Sequence, residues 1–259
     1  MNASLLPAVL IAAAAGWGTA HAATIVGNGG TGTANGDVTA APTGDGGYYY
    51  VSTSGGEVIP GLGVGGETIG STYTFDAFDA EAGEELSYFF NYLTSDGAGY
   101  SDYAYGTLTN VATSEQTLIF TARTTTDGNT VPGFGLPPIA PGVVLDPASS
   151  AIIGSYPEDG PVWDKLGDSS GACYQEGCGF TGWIKSTYLV PTAGSYVLTF
   201  GVVNYSDLAY QSGLAFAGVK AGGVIIGEPG PSPVPLPAAA PLLLMGLGGI
   251  AAARRRHQA

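Results

Sequence analysis

Two aspartates in one loop-like stretch are the residues of this sequence whose spacing most readily suggests chemistry. Asp96 and Asp102 lie in SDGAGYSD, between two segments rich in aromatic residues. Carboxylates and loop carbonyls are the hard oxygen ligands that Ca²⁺ takes, although this spacing is not that of an EF-hand loop. Asp and Gly also favour ordinary turns. We therefore predict Asp96 and Asp102 as candidate calcium ligands, with a structural turn as the alternative, and expect no other cofactor.

The distribution of histidine excludes most hydrolytic mechanisms. The chain has two histidines, His21 and His257, and both lie in terminal segments that we interpret below as targeting signals. A Ser-His-Asp triad, a Cys-His pair and a His-ligated zinc site are therefore excluded from the rest of the chain. The absence of histidine does not exclude a glycosidase, because glycosidases need only two carboxylates. No such pair stands out, so the sequence favours a protein that is not an enzyme.

The two cysteines, Cys173 and Cys178, enclose the tetrapeptide Tyr-Gln-Glu-Gly. Disulfides persist in exported proteins, and export is what both termini of this chain indicate. We predict a local disulfide that closes a hairpin-like loop. A metal site is the alternative, but two thiolates lack the further ligands that zinc usually requires.

Aromatic residues in polar loops are candidates for sugar binding, because a pyranose ring stacks on an exposed aromatic face while a polar tip reaches its hydroxyls. Trp163 and Tyr174 stand in Gly- and Asp-rich sequence, and we predict that they contact a glycan. Such residues otherwise belong to the core of a β domain. Other aromatic residues open to the same interpretation are Trp183, Tyr48, Tyr49, Tyr50, Tyr100 and Tyr156.

The charge balance excludes one class of partner. The chain carries 21 acidic and seven basic residues, a formal net charge of −14, and Arg254, Arg255 and Arg256 make up three of the seven. Nucleic acid is therefore a poor partner, because phosphate contacts need Lys and Arg. Charged residues are 11% of the chain, against about 25% in ordinary soluble domains. This composition suits an extracellular β protein.

A period of two dominates the region from residue 48 onward, which predicts β-strands. β-Branched and aromatic residues fill these runs, and Gly, Asn, Asp and Pro separate them. We predict an all-β fold, an antiparallel β-sandwich or jelly roll over residues 23–221, followed by a Gly/Pro-rich linker at 222–233. The alternating sets on one face are Leu86, Tyr88, Phe90 and Tyr92, then Tyr196, Leu198, Phe200 and Val202.

The first 22 residues have the features of a secretory signal helix. An apolar run covers residues 5–15, and Ala20-His21-Ala22 is a small-x-small cleavage site. The usual basic residues before the apolar run are missing. We predict cleavage by signal peptidase after Ala22, with a buried N-terminal helix as the alternative.

The other end of the chain predicts a short transmembrane helix. Residues 238–253 carry no charge, and at ~1.5 Å per residue they span about 24 Å, slightly less than a ~30 Å hydrocarbon core. Arg254, Arg255 and Arg256 follow at once. By the positive-inside rule these arginines hold the tail in the cytoplasm. An exported chain would therefore be halted here in the inner membrane.

Residues 234–259 as a whole resemble a PEP-CTERM sorting signal. Val234, Pro235 and Pro237 match its Val-Pro-x-Pro-type motif, and the apolar helix and the basic cluster follow in order. Leu236 stands where the motif usually has Glu. The resemblance implies processing by an exosortase in a Gram-negative bacterium that produces exopolysaccharide. The protein would then pass to the cell surface or the extracellular space. An ordinary C-terminal membrane anchor is the alternative.

Two further stretches, residues 86–108 and 182–219, resemble the sandwich ectodomains of PEP-CTERM proteins and choice-of-anchor domains of bacterial surface proteins. The shared pattern is an aromatic strand, an Asp loop, then Trp183, Gly194 and a closing strand. The resemblance implies a non-catalytic role at the surface or in the extracellular matrix of a biofilm. Alternatives are a carbohydrate-binding or adhesive module for exopolysaccharide, assisted by Ca²⁺, and, less favoured, a polysaccharide-cleaving enzyme.

Overall fold

The computed structural model describes residues 23–154 and 156–226, which form an all-β fold of two antiparallel sheets. The strands are β1 (Thr24–Val26), β2 (Asn28–Gly32), β3 (Tyr48–Ser52), β4 (Glu67–Thr74), β5 (Phe78–Ala80), β6 (Glu85–Thr94), β7 (Tyr103–Asn110), β8 (Gln116–Arg123), β9 (Val144–Asp146), β10 (Gly179–Phe180), β11 (Ile184–Leu189), β12 (Gly194–Tyr205), β13 (Ser212–Ala221) and β14 (Val224–Ile225). Two short 3₁₀ helices, Ala98–Tyr100 and Asp164–Ser169, lie in loops.

The two sheets are built from strands that are distant in sequence. The six-stranded sheet has the order β1-β4-β12-β7-β8, and β5 also pairs with β12. The eight-stranded sheet has the order β2-β3-β13-β6-β11-β9, with β10 on β6 and β14 on β13. All of these pairings are antiparallel. The predicted antiparallel β-sandwich is confirmed.

An aromatic core fills the space between the sheets. The Phe90 and Phe120 rings, one from each sheet, stack with centroids 4.1 Å apart, and Phe200 and Phe216 stack at 4.2 Å. Burying each such side chain contributes roughly 1.5–3 kcal/mol. The alternating sets predicted on β6 and β12 are all buried in this core, so the period-two pattern identified the inward faces correctly.

Loops cover parts of both outer faces and form two smaller clusters. On β13, Ala215 and Ala217 alternate with core residues and face outward, where Trp163 and Leu166 cover them. On the other sheet, Tyr103 and Tyr105 lie on the outer face with Ile59 and Val203. An outward position in this sandwich is therefore not always an exposed one.

The β-sandwich extends slightly past the predicted boundary at residue 221. Val224 and Ile225 form β14, which pairs with Lys220 and Ala221 of β13. Ile226 is buried and its N–H donates to the Val219 carbonyl at 2.9 Å. The linker that was predicted to start at residue 222 therefore begins no earlier than residue 227. Residues 222 and 223 form the tight turn of the hairpin between β13 and β14.

The predicted targeting segments lie outside the described residues. These are the signal helix at 1–22 with its cleavage residues Ala20 and Ala22, and the sorting signal at 234–259. Within residues 23–154 and 156–226, no helix is long and apolar enough to cross a membrane. The transmembrane span predicted at residues 238–253 also lies outside the described residues.

Candidate functional site

Three tyrosines from three separate loops form an aromatic cluster at one end of the sandwich. The Tyr174 ring centroid lies 5.6 Å from that of Tyr100 and 4.9 Å from that of Tyr210. Tyr100 is 39% exposed and Tyr174 is 42% exposed, so their faces are accessible to a ligand. We call Tyr100, Tyr174 and Tyr210 the tyrosine cluster.

A disulfide holds the loop that carries Tyr174. Cys173 and Cys178 are bonded, with Cα atoms 5.6 Å apart, so the predicted pairing is confirmed. The Tyr174 N–H donates to the Ser95 carbonyl at 2.9 Å, which fixes this loop to the end of β6. The closed ring of six residues limits how far Tyr174 can move, because its ends cannot separate.

The loop after β6 packs directly beneath the disulfide loop. The Ala98 N–H donates to the Glu176 carbonyl at 2.9 Å. Gly97 permits this approach, because a Cβ atom at that position would collide with the Gln175 side chain. Tyr100, three residues further on, is thereby brought beside the disulfide loop.

Tyr210 occupies a strained backbone conformation. Its φ is +49°, in the left-handed region, and Ser206 in the same loop has a φ of +73°. A left-handed non-glycine residue costs about 1–2 kcal/mol. Hydrogen bonds hold the loop in place: the Ala209 N–H donates to Asp207 Oδ1 at 2.9 Å, and Asn204 Nδ2 donates to the Ala209 carbonyl at 3.1 Å. Strain retained in this way concentrates at functional sites.

A buried carboxyl group, Asp96, lies in the same group of loops. It is 1% exposed, and its Oδ1 accepts the Gly97 N–H at 2.7 Å. Its Oδ2 is buried and has no hydrogen-bond partner among the described residues. Burial, with a smaller contribution from the negative charge of Asp207, raises the pKa of Asp96 to about 7. An unsatisfied buried oxygen is uncommon and calls for an explanation such as a water or a ligand group.

Asp102 is an interior residue rather than an open cation ligand. It is fully buried; Oδ1 accepts the Tyr205 N–H at 2.8 Å and Oδ2 hydrogen-bonds with Ser212 Oγ at 2.6 Å. Burial raises its pKa well above the ordinary value. Among the described residues, no group of three or more His, Cys, Asp or Glu side chains could hold a metal ion. The structure therefore does not place Asp96 and Asp102 together in an open calcium loop.

The prediction that Trp163 contacts a glycan at the surface is wrong. Its side chain is fully buried, and Nε1–H donates to the Tyr48 hydroxyl at 3.0 Å. The surrounding Gly- and Asp-rich sequence is a loop, as expected, but this loop folds back over the eight-stranded sheet. Gly213 makes room for the indole, because a Cβ there would collide with the ring.

Tyr210 is the cluster residue that sequence reasoning missed. It lies in NYSDLAYQS, where nothing local separates it from other loop tyrosines. Tyr174 was selected because it stands in Gly- and Asp-rich sequence, and Tyr100 was one of several other aromatic candidates. The positive φ of Tyr210, which marks it most clearly, is visible only in the folded chain.

Comparison with known proteins finds no matching family model, no curated protein of similar sequence and no solved structure of similar fold. The described domain can therefore be classified only from its own architecture. It is an antiparallel β-sandwich whose one end carries a tyrosine cluster braced by a disulfide.

Proposed function

We propose that this chain is an exported, non-catalytic surface or matrix protein that binds polysaccharide through the tyrosine cluster. The observation that carries the binding proposal is that three tyrosine rings from three loops meet at an accessible end of the fold. Aromatic faces offer apolar area to sugar rings, and phenolic hydroxyls offer hydrogen bonds. The export proposal is carried by the sequence of the two termini.

The support beneath the cluster favours binding over a purely structural role. The disulfide and the loop-to-loop hydrogen bonds hold the backbone of the loops that carry the rings, and Tyr210 keeps a left-handed backbone conformation. A preformed surface loses little conformational entropy when a ligand binds.

Replacing Tyr210 with glycine should lower the affinity for polysaccharide without lowering the stability of the fold. We expect Tyr210→Gly to weaken polysaccharide binding at least about tenfold, a loss of ~1.4 kcal/mol. The free energy of unfolding should stay within about 1 kcal/mol of wild type, because glycine relieves the left-handed strain while adding entropy to the unfolded chain. Affinity electrophoresis in dextran, galactan, mannan and alginate gels, with urea unfolding in parallel, measures both quantities.

Ser206→Gly is the matched control. Ser206 has a positive φ in the same loop but carries no ring, so its replacement gives the same backbone relief and should leave retardation in the gels unchanged. Failure of the wild-type chain to bind any of the four polymers would contradict the proposal. Equal retardation of Tyr210→Gly and wild type would contradict the assignment of the cluster.

The sorting proposal has its own test in a bacterium with the matching processing system. Deleting residues 234–259 should send the protein to the periplasm or medium without retention on the envelope, because the halting helix and its arginines are lost. Cell fractionation and immunoblotting measure this. Replacing Arg254, Arg255 and Arg256 together with Lys preserves the positive charge and should preserve retention. Unchanged fractionation of the deletion variant would refute the proposed signal.

A further inference from the structure

A small polar cleft lies away from the tyrosine cluster, between the loop after β2 and the start of the 3₁₀ helix Asp164–Ser169. Its volume is about 180 Å³, and its polar side chains come from Thr33, Asn35, Tyr48, Asp164 and Lys165. At ~30 Å³ per molecule, about six waters would fill this space. It is therefore large enough for a single sugar ring and too small for a nucleotide.

The cleft presents hydrogen-bonding capacity that its internal contacts leave unused. Asn35 Oδ1 accepts the Asp164 N–H at 2.9 Å, which leaves the amide N–H groups to donate. Lys165 Nζ donates one hydrogen to Asp164 Oδ2 at 2.9 Å and has two more, and Asp164 Oδ1 remains an acceptor. The Tyr48 hydroxyl accepts from Trp163 Nε1 and retains its own hydrogen.

The walls of the cleft are held together before any ligand arrives. The Val162 N–H donates to Asp37 Oδ2 and the Asp37 N–H donates to the Val162 carbonyl, each at 2.7 Å. Gly36, which precedes Asp37 in the chain, has a φ of +56°. It lies so close to Val162 that a Cβ atom at this position would collide with the Val162 carbonyl. Lys165 Nζ lies 5.1 Å from the centroid of the Tyr50 ring, which orients the ammonium group. A rigid cleft of this kind reduces the entropy lost on binding.

We infer that this cleft binds one neutral pyranose unit of a polysaccharide, as a second subsite separate from the tyrosine cluster. The inference rests on the proposed polysaccharide-binding function. Each sugar hydroxyl both donates and accepts, and the cleft offers an acidic acceptor together with amide, ammonium and phenol donors. Lys165 is already compensated by Asp164, and the chain carries a net charge of −14, so an anionic sugar or a phosphate is disfavoured.

One short element connects the two subsites. Asp164 and Lys165 begin the 3₁₀ segment that ends at Ser169 and is kinked at Gly167. The Ser169 carbonyl accepts from Ser95 Oγ at 2.7 Å, and its hydroxyl accepts the Gln211 N–H at 3.1 Å. These two partners border the loops that carry Tyr100 and Tyr210. Even a fully extended chain spans at most ~3.6 Å per residue, so Asp164 and Ser169 lie no more than about 18 Å apart. One polymer chain can therefore extend over both subsites and gain avidity.

The test uses the full-length chain with D-glucose, D-galactose and D-mannose, and with dextran, galactan and mannan. One of the three monosaccharides should shift the amide ¹H–¹⁵N resonances of residues 32–35 and 164–165. Lys165→Met and Asp164→Asn should each weaken that binding at least tenfold. Affinity for the matching polymer should fall about tenfold in Lys165→Met and further when this change is combined with Tyr210→Gly. Lys220→Met, which removes an exposed lysine from β13, is the matched control and should bind as wild type.

The outcomes separate this inference from the proposed function. No shift at residues 32–35 and 164–165 with any of the three sugars overturns the cleft as a subsite, even if Tyr210→Gly still loses polymer binding. Shifts given by D-glucuronate and by no neutral sugar overturn the neutral specificity. Loss of cleft shifts in Lys165→Met with full retention of polymer affinity overturns the cooperation between the subsites.

Discussion

The variant Asp96→Asn should be more stable than wild type at pH 8 by about 2–4 kcal/mol and within about 1 kcal/mol of it at pH 4. The pKa of Asp96 is about 7 in the folded chain, against 3.8 for the ordinary group. The folded state therefore holds a proton between these values that the unfolded state releases, so stability falls as pH rises from about 4 to about 7. A shift of ~3 units corresponds to about 4 kcal/mol before solvent relaxation is considered. Asparagine does not titrate, so the variant does not lose this stability as the pH rises.

Urea unfolding at a series of pH values, with EDTA present to remove divalent cations, measures the effect. Asp127→Asn, at an exposed loop position, is the control and should change stability by less than about 0.5 kcal/mol. Identical pH profiles for wild type and Asp96→Asn would mean that Asp96 is not held in a desolvating environment. If Ca²⁺ restores wild-type stability at pH 8 and leaves Asp96→Asn unchanged, the predicted calcium role of Asp96 regains support.

Trp163→Ala should lower the free energy of unfolding by about 3–5 kcal/mol. The indole is fully buried against Tyr48 and Tyr50, with ring centroids 6.2 and 6.0 Å away, and it donates a hydrogen bond to the Tyr48 hydroxyl. Its removal leaves a cavity on the outer face of the eight-stranded sheet and an unsatisfied hydroxyl. Urea unfolding followed by far-ultraviolet circular dichroism measures the loss.

Tyr174→Ala provides the comparison, because the two residues were equal candidates for surface contact in the sequence. Tyr174 is 42% exposed, so its loss should lower stability by about 1 kcal/mol or less. Trp163→Phe should lie between wild type and Trp163→Ala, since it keeps most of the apolar contact but loses the indole N–H. A loss below about 1 kcal/mol for Trp163→Ala would place this residue at the surface after all.

The β-sandwich itself could be predicted from the sequence. The alternation of Leu86, Tyr88, Phe90 and Tyr92 reports one inward face because successive side chains of a strand point to opposite sides. The disulfide was predictable because its two cysteines are the only ones in the chain. Trp163 was misjudged because polarity of the surrounding loop says nothing about where that loop lies.

The tyrosine cluster could be predicted only in part, because its members are far apart along the chain. Tyr100 follows β6, Tyr174 lies in the disulfide loop, and Tyr210 joins β12 to β13. They meet because β6 pairs with β13 while β7 pairs with β12, which brings these loops to one end. No local pattern encodes that strand order.

By itself, the sequence determined the β-strand periodicity, the inward faces, the local disulfide, the acidic surface and the features of the two termini that predict export. Each depends on residue types and spacings within about 20 positions, where backbone geometry and hydropathy act directly. Tertiary structure alone decided that Trp163 is buried, that Asp102 lies in the interior and that Tyr210 joins Tyr174. These outcomes depend on which distant strands pair and on where a glycine such as Gly213 leaves space, so they arise only when the sheets assemble.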